Sequence, residues 1–313
     1  MHLLIPFASA LSEASSHVLR DLHLPNLAKL LARLTPAAID SGDEYTFSPP
    51  HERALAAAWG WQGGDGALPW AAHAAELDGV AVGELAWGLI TPAHWHVGRD
   101  HVTLADPDAL QLTEAESRAA FEAVRELFES EGFTLRWGAP SRWYAAHESL
   151  TGLPCAALER VIGRNVDLWI RHGAKAIPQA RLVRRLQSEV QLLLYPHAIN
   201  EEREQRGALT LNSFWLSGCG RRQAAVTGDV VVNDTLRAPL LAQDWAGWAD
   251  SWHALDGGAL ASLLTAAQAG QTTSLTLCGE RSAQRFDNAA RSLWRQLGSR
   301  FKSPEPHTIL EAL

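Results

Sequence analysis

The stretch Thr91-Pro92-Ala93-His94-Trp95-His96, followed by Asp100-His101 and Asp106-Pro107-Asp108, gathers the side chains best suited to metal chemistry. In an extended strand, residues two apart point to one face, so the imidazoles of His94 and His96 can share a metal with His101 or Asp100 as a third ligand. A zinc site needs three or four ligands, and this spacing puts only two on a common face. The plainer reading is a pair of hydrogen-bonded histidines in a half-exposed strand, and no metal is expected there. Ser48 lies in Phe47-Ser48-Pro49-Pro50-His51-Glu52 directly before a helix, where a nucleophile can meet helix-terminal N–H groups. Serine ahead of Pro-Pro is more simply a helix cap. Cys219, between Gly218 and Gly220, reacts only where its thiol pKa is depressed, and reads instead as a small residue filling a tight turn. Arg136 and Arg142 flank Trp137 to Ser141; their forks match phosphate or carboxylate, and packing over Trp137 and Trp143 is the competing use.

Several common chemistries find no support. The chain contains no Gly-x-x-x-x-Gly-Lys-Ser/Thr, no Gly-x-Ser-x-Gly and no His-Glu-x-x-His. Gly218-Cys219-Gly220 follows a strand as a dinucleotide fingerprint would, but Gln223 stands where the third glycine belongs. No cofactor is expected.

The elements that must position these residues alternate in type. Leu3 to Phe7 reads as a buried strand, followed by a helix start near Leu11 and a helix from Pro25 to Leu34 with Leu27, Leu30, Leu31 and Leu34 on one stripe. Ser41 to Pro50 breaks the pattern, and a helix from His51 to Ala58 closes at Gly60. The glycine-rich run Gln62 to Gly66 marks a boundary. Short alternating runs, Glu84 to Ile90 and His94 to Leu104, precede a helix from Thr113 to Ser130, opened by a Thr113/Glu116 capping box, and a strand from Phe133 to Trp137. A helix from Gln179 to Tyr195 carries Leu182, Val183, Leu186, Val190, Leu193 and Leu194 on one face, with Arg181, Arg184 and Arg185 opposite as a solvated face first and an anion patch second. Strands at Leu209–Leu216, Val226–Val232 and Thr272–Leu277, with helices at Trp245–Ala254 and Leu260–Ala269, argue an α/β fold with a mainly parallel sheet.

Composition narrows the class. With 313 residues, 47% of them hydrophobic, the chain can bury a full core. A formal charge of −8, from 35 acidic against 27 basic residues, makes nucleic acid a poor partner. Three dispersed cysteines suggest neither a disulfide framework nor a zinc ribbon, and a reducing, cytoplasmic setting fits. No apolar run approaches the ~20 residues needed to span a bilayer, and the apolar opening has no charged region before it, so neither a membrane partner nor a secretion signal is expected. The 13 tryptophans are scattered singly and should serve packing.

Several stretches, in order, resemble the archaeal-type cofactor-independent phosphoglycerate mutases of the alkaline phosphatase superfamily. Leu24-Pro25-Asn26-Leu27-Ala28-Lys29-Leu30 is similar to the superfamily's helix after the first strand, and Arg142-Trp143-Tyr144 to a strand of its inserted domain. His197 to Arg203, with Leu211 through Gly220, resembles the return to the core. Leu110-Gln111-Leu112, Arg160 to Asp167, Leu186 to Val190 and Asn212 to Gly220 resemble the bacterial regulatory proteins of the RpfE type. The resemblance implies a mainly parallel, alkaline-phosphatase-like core from residues 1–62 and 178–313, interrupted by a smaller α+β domain at 63–177. It also implies departures. The family's first metal-binding Asp is replaced by Ile5-Pro6-Phe7-Ala8, His51 falls at the nucleophile position with Ser48 out of register, and the late metal motif survives as Gly279-Glu280-Arg281-Ser282-Ala283-Gln284-Arg285. Metal-dependent catalysis is therefore expected to be lost, leaving a regulatory or ligand-sensing protein. Arg136, Arg142, Asn200, Arg203, Asn212, Arg281 and Arg285 are its candidate contacts to a small phosphorylated or carboxylated ligand. An active phosphomutase or phosphohydrolase with a relocated site, and a module that binds a protein partner, are the alternatives.

Overall fold

The computed structural model describes residues 1–174, 178–225, 230–288 and 305–313. The chain forms two compact units: Met1–Glu44, Pro49–Gly60 and Ala225–Leu313 make the first, Tyr45–Ser48 and Trp61–Ala224 the second.

In the first unit, strand β1 (His2–Ile5) is apolar at every position after His2, and Leu3, Leu4 and Ile5 are almost wholly enclosed, as a strand covered on both faces must be. It pairs in parallel with β9 (Val230–Val232) and β10 (Ser274–Cys278). Strand β11 (Ser282–Asp287) then turns back antiparallel on β10, and β2 (Thr35–Ser41) pairs antiparallel with β11. The five-stranded sheet is thus mixed, with order β2-β11-β10-β1-β9 and its parallel strands together. Strand β2 was not legible in the sequence because it is an exposed edge strand without an apolar face, where Pro36 costs little. The strand expected from Val226 is described only from Val230; residues 226–229 lie outside the described residues.

Helix Pro25–Arg33 presses Leu27, Leu30 and Leu31 into a core with Trp248, Trp252, Leu263, Leu275 and Leu277, each such side chain worth about 1.5–3 kcal/mol on burial. Its own N-cap, Leu24, has no side-chain acceptor. The task passes to Asp256, in a widened turn (Asp256–Leu260) between helices Trp245–Leu255 and Ala261–Gln268. The Asp256 carboxylate, only 4% exposed, accepts the N–H groups of Leu27 at 2.8 Å and Asn26 at 3.1 Å, and so satisfies a helix N-terminus from a distant element.

The second unit is built on an antiparallel sheet of order β6-β7-β3-β8: β6 (Thr134–Ala139), β7 (Arg142–Ala146), β3 (Ala86–Ala93) and β8 (Ser213–Arg221). Side chains alternate between its faces. Ala86, Ile90, Trp143 and Ala145 meet helices Glu114–Ser130 and Pro178–Leu194, while Trp87, Tyr144 and Ala146 meet Ala71, Ala72 and Ala75 of helix Trp70–Leu77. The Thr113/Glu116 capping box forms as the sequence predicts.

The return to the first unit comes at Ala225, where the sequence placed it at residue 178. The reason is packing: Leu186, Val190 and Leu194 share one core with Phe121, Val124 and Phe214, so the helix after residue 178 belongs to the second unit. Gly218-Cys219-Gly220 also differs from the expected turn. It lies inside β8 as a bulge, with Trp87 opposite Gly220 and Leu89 opposite Ser217, and with Gly218 at φ 64°. A Cβ on Gly218 would sit 2.8 Å from the Ala71 nitrogen, and one on Gly220 3.1 Å from the Pro69 Cβ. The two glycines let the start of helix Trp70–Leu77 lie directly on the strand. Among the described residues no helix is long and apolar enough to cross a membrane.

Candidate functional site

Parallel α/β sheets place their ligands beyond the C-terminal ends of the strands. In the first unit that edge is filled. Phe7 adopts φ 58°, and its carbonyl accepts the Trp248 indole N–H at 3.2 Å. Its ring tilts against His51, the second residue of helix Pro50–Trp59, with centroids 5.1 Å apart. The Ala8 N–H reaches the Cys278 carbonyl at 2.8 Å, and the Leu313 carbonyl accepts the N–H groups of Ser282 at 2.7 Å and Arg281 at 3.3 Å. A Cβ on Gly279 would collide with Ser9 and Leu313. Burial pushes the Cys278 thiol well above its usual pKa, so it stays protonated.

The charged residues at this edge are engaged with one another. Arg281 faces Glu44 at 3.8 Å, Arg53 pairs with Asp40 at 2.8 Å, and Glu280 accepts the Leu11 N–H at 3.0 Å. At the opposite edge, where β10 begins, Arg285 on β11 chelates Asp287 at 2.9 and 3.0 Å and reaches the Ser274 hydroxyl. A two-metal centre of the mutase kind needs convergent carboxylates and imidazoles. Among the described residues no three His, Cys, Asp or Glu side chains converge, and β1 ends in Ile5-Pro6-Phe7-Ala8. These residues do not fit such a centre.

Ser48 belongs to the second unit and His51 to the first. Its hydroxyl accepts the Gly66 N–H at 2.8 Å and its own N–H donates to Asp65 at 2.8 Å, while the helix N-cap is Pro49. Ser48 therefore ties its segment into the second unit, in place of the helix cap read from the sequence.

The framework assigned to a ligand is occupied by the protein itself. Asn200, 4% exposed, donates to the carbonyls of Leu194 and Leu211 and accepts the Leu211 N–H, all at 2.8 Å. Arg203, 1% exposed, donates to Glu116 at 2.8 Å, to the Leu209 carbonyl at 2.6 Å and to the Leu110 carbonyl. Asn212 clasps Trp95, accepting its N–H at 2.7 Å and donating to its carbonyl at 3.1 Å. Arg142 forms a two-pronged pair with Asp78, both bonds 2.8 Å, and the Tyr144 hydroxyl donates to the same carboxylate at 2.6 Å. The Arg142 fork holds the Asp78 carboxyl below its usual range. Arg136 is exposed and donates to the Leu135 carbonyl at 2.9 Å. The cation packed over Trp137 is Arg118, at 3.7 Å. Asn200, Arg203, Asn212 and Arg142 thus satisfy main-chain atoms and carboxylates of the fold, whereas Arg136 engages one donor with its neighbour's carbonyl.

His94 and His96 do meet, Nε2 to Nδ1, at 3.2 Å. His94 Nδ1 lies 2.7 Å from the Thr210 carbonyl, so that nitrogen carries the proton and Nε2 accepts from His96. Burial lowers the His94 pKa, which keeps the ring neutral. His101 sits in the turn between β4 (Trp95–Val97) and β5 (Val102–Leu104), exposed, with its carbonyl accepting the Gly98 N–H.

A recess in the second unit was not legible in the sequence. It is a partly open recess with a cavity volume of about 60 Å³, between the Leu153–Ala156 segment, helix Pro178–Leu194 and β8. Trp169 and Trp215 line it, with Gln187, Arg184 and Cys155 as its polar groups. The Trp215 indole N–H is satisfied by the Ala156 carbonyl at 2.8 Å, whereas that of Trp169, a residue 5% exposed, has no partner among the described residues. Gln187 donates to the Phe214 carbonyl at 3.3 Å. Arg184 is exposed at the rim, and no carboxylate pairs with it among the described residues. The available clue was Gln187 itself, a polar residue in register with Val183, Val190 and Leu194 on an otherwise apolar helix face.

No protein-family model matches the chain, and no curated protein does. Among solved structures it is similar to a cofactor-independent phosphoglycerate mutase from Thermoplasma acidophilum DSM 1728, at 14% identity and a TM-score of 0.39, covering 100% of this chain and 98% of that one. It is also similar to the PH0037 protein from Pyrococcus horikoshii, at 14% identity and a TM-score of 0.43, covering 91% of this chain and 86% of that one.

Proposed function

We propose that this chain is a metal-independent ligand-sensing protein of the regulatory kind, which takes a small molecule with an apolar body and a carboxylate or phosphate head into the recess of its second unit. The observation that carries this reading is a recess walled by Trp169, Trp215 and Leu216 with an arginine fork at its rim, Arg184, that has no carboxylate partner among the described residues. The guanidinium supplies the two-pronged geometry that a carboxylate or phosphate needs. The tryptophan and leucine walls give the apolar area from which most small-molecule affinity comes. Loss of mutase chemistry is supported by the donor set at the first unit's sheet edge, which offers Ile5 to Ala8 where a ligating carboxylate would have to stand.

The test is a thermal-shift and calorimetry screen of phosphoglycerates, sugar phosphates, nucleotides and aromatic carboxylates on the full chain. A ligand held about 100-fold above its Kd should stabilise the fold by ~2.7 kcal/mol, and Arg184→Ala should remove the shift. A flat screen on folded protein would refute the ligand reading. Turnover of 3-phosphoglycerate with Mn²⁺ or Mg²⁺ above buffer background would refute the loss of catalysis.

A further inference from the structure

Cys155 and Cys219 are separated by 64 residues, yet their Sγ atoms lie 3.7 Å apart. Both are free thiols, and they differ in access: Cys155 is half-buried in the recess wall, while Cys219 is fully enclosed in the bulge of β8. The backbone holds each in place. The Cys155 N–H is bonded to the Gly66 carbonyl at 2.9 Å, and the Trp215 indole holds the neighbouring Ala156 carbonyl. Gly88, opposite the bulge, leaves room for the Cys219 sulfur, which would lie 3.2 Å from a Cβ added there.

We propose that Cys155 and Cys219 form an oxidisable dithiol, in which a hydroperoxide entering the recess oxidises Cys155 and Cys219 then closes a disulfide. In the first step the Cys155 sulfur attacks the O–O bond. One oxygen stays as a sulfenic acid, and the other leaves as water or an alcohol after taking up the thiol proton. In the second step the Cys219 sulfur attacks the sulfenyl sulfur, the S–O bond breaks, and the departing hydroxide leaves as water with the Cys219 proton. The two thiols lose two electrons and the peroxide gains them. Closure needs the sulfurs to approach by roughly 1.7 Å, from van der Waals contact to bonding distance. The roles follow from access. The open thiol meets the oxidant, and the enclosed thiol resolves the sulfenic acid. Enclosure in the bulge keeps Cys219 from the oxidant, and its contact with Cys155 places it to attack once the sulfenic acid has formed. This inference is independent of the ligand reading. Cys278, in the first unit, is the internal control.

The experiment treats the reduced full chain with a small molar excess of hydrogen peroxide, quenches it, and counts free thiols after denaturation. The expected result is a fall from three thiols to one, a mass loss of about 2 Da, and a peptide joining Cys155 to Cys219, all reversed by dithiothreitol. Cys219→Ser should leave Cys155 as a sulfenic acid trappable by dimedone, and Cys155→Ser should abolish the cross-link. If a serine variant fails to fold, the wild-type peptide map alone decides. Three thiols surviving, irreversible gain of oxygen at Cys155 without a cross-link, or disulfides between chains would each overturn the proposal.

Discussion

Replacing Glu116 by glutamine keeps the shape of the capping box and removes one charge from a nearly enclosed ion cluster. The carboxylate is 13% exposed and faces Arg203, which is 1% exposed, at 2.8 Å, with Arg206 on the same oxygen. Burial alone pushes the Glu116 pKa up. Hydrogen bonds from the Thr113 N–H and hydroxyl and from the two guanidinium groups outweigh it and hold the value at about 2, against 4.5 for a free glutamate. A carboxylate depressed on folding contributes stability that is fully present above its unfolded pKa and is lost as pH falls through the folded one. The window here runs from 4.5 down to about 2. At about 1.36 kcal/mol per unit, the charge contributes roughly 3 kcal/mol at neutral pH. Glu116→Gln should cost about 2–3 kcal/mol, somewhat less than that figure because Arg206 is 55% exposed and water screens its side of the cluster. Urea unfolding followed by tryptophan fluorescence reports on this unit, because Trp137 and Trp143 both donate to Ser117 on the same helix. The gap between wild type and variant should be constant above pH 5 and close progressively below the unfolded pKa. A gap below about 0.5 kcal/mol at neutral pH, the size of an exposed ion pair, or one that persists undiminished near pH 2, would refute the reasoning.

Asp256→Ala should destabilise the first unit by about 1–3 kcal/mol, since two helix N–H groups lose their acceptor in an enclosed site, and Asp256→Asn should recover part of the loss; equal stability of the alanine variant in thermal unfolding would contradict the capping role. Protein purified without added metal should carry no stoichiometric zinc by elemental analysis, and zinc that disappears on joint His94→Ala and His96→Ala replacement would show that the pair is a ligand set.

Local signals were legible and long-range ones were not. The Thr113/Glu116 box could be read because its two partners are three residues apart and obey a helix rule. The stripe of helix Pro25–Arg33 could be read for the same reason. Its cap could not, because Asp256 lies 230 residues from Asn26. The glycines around Cys219 correctly indicated an unusual backbone. Glycine spacing alone does not separate a turn from a bulge, and the decision rests on Pro69, Trp70 and Ala71, which approach the strand from elsewhere in the chain. The cysteine pair was invisible for a similar reason, since no spacing rule links residues 155 and 219.

The arginines show why residue type is a weak guide to a ligand. A guanidinium fork fits any planar acceptor, and a backbone carbonyl or an internal carboxylate satisfies it as readily as a substrate. Arg203 and Arg142 stood in suggestive sequence surroundings, yet their donors are taken by Glu116, main-chain carbonyls and Asp78. Arg184 stood on a face read first as solvated charge and second as an anion patch, and it borders the recess with no carboxylate beside it among the described residues. What separates a binding arginine from a structural one is the accounting of its donors in the folded chain. That accounting moves the candidate site from the motif residues to the wall formed by Trp169, Gln187 and Cys155. It also makes Arg184→Ala more informative than Arg142→Ala: the first should remove ligand binding and leave the melting temperature of the free protein unchanged, whereas the second should lower that temperature by leaving Asp78 only the Tyr144 hydroxyl as a donor.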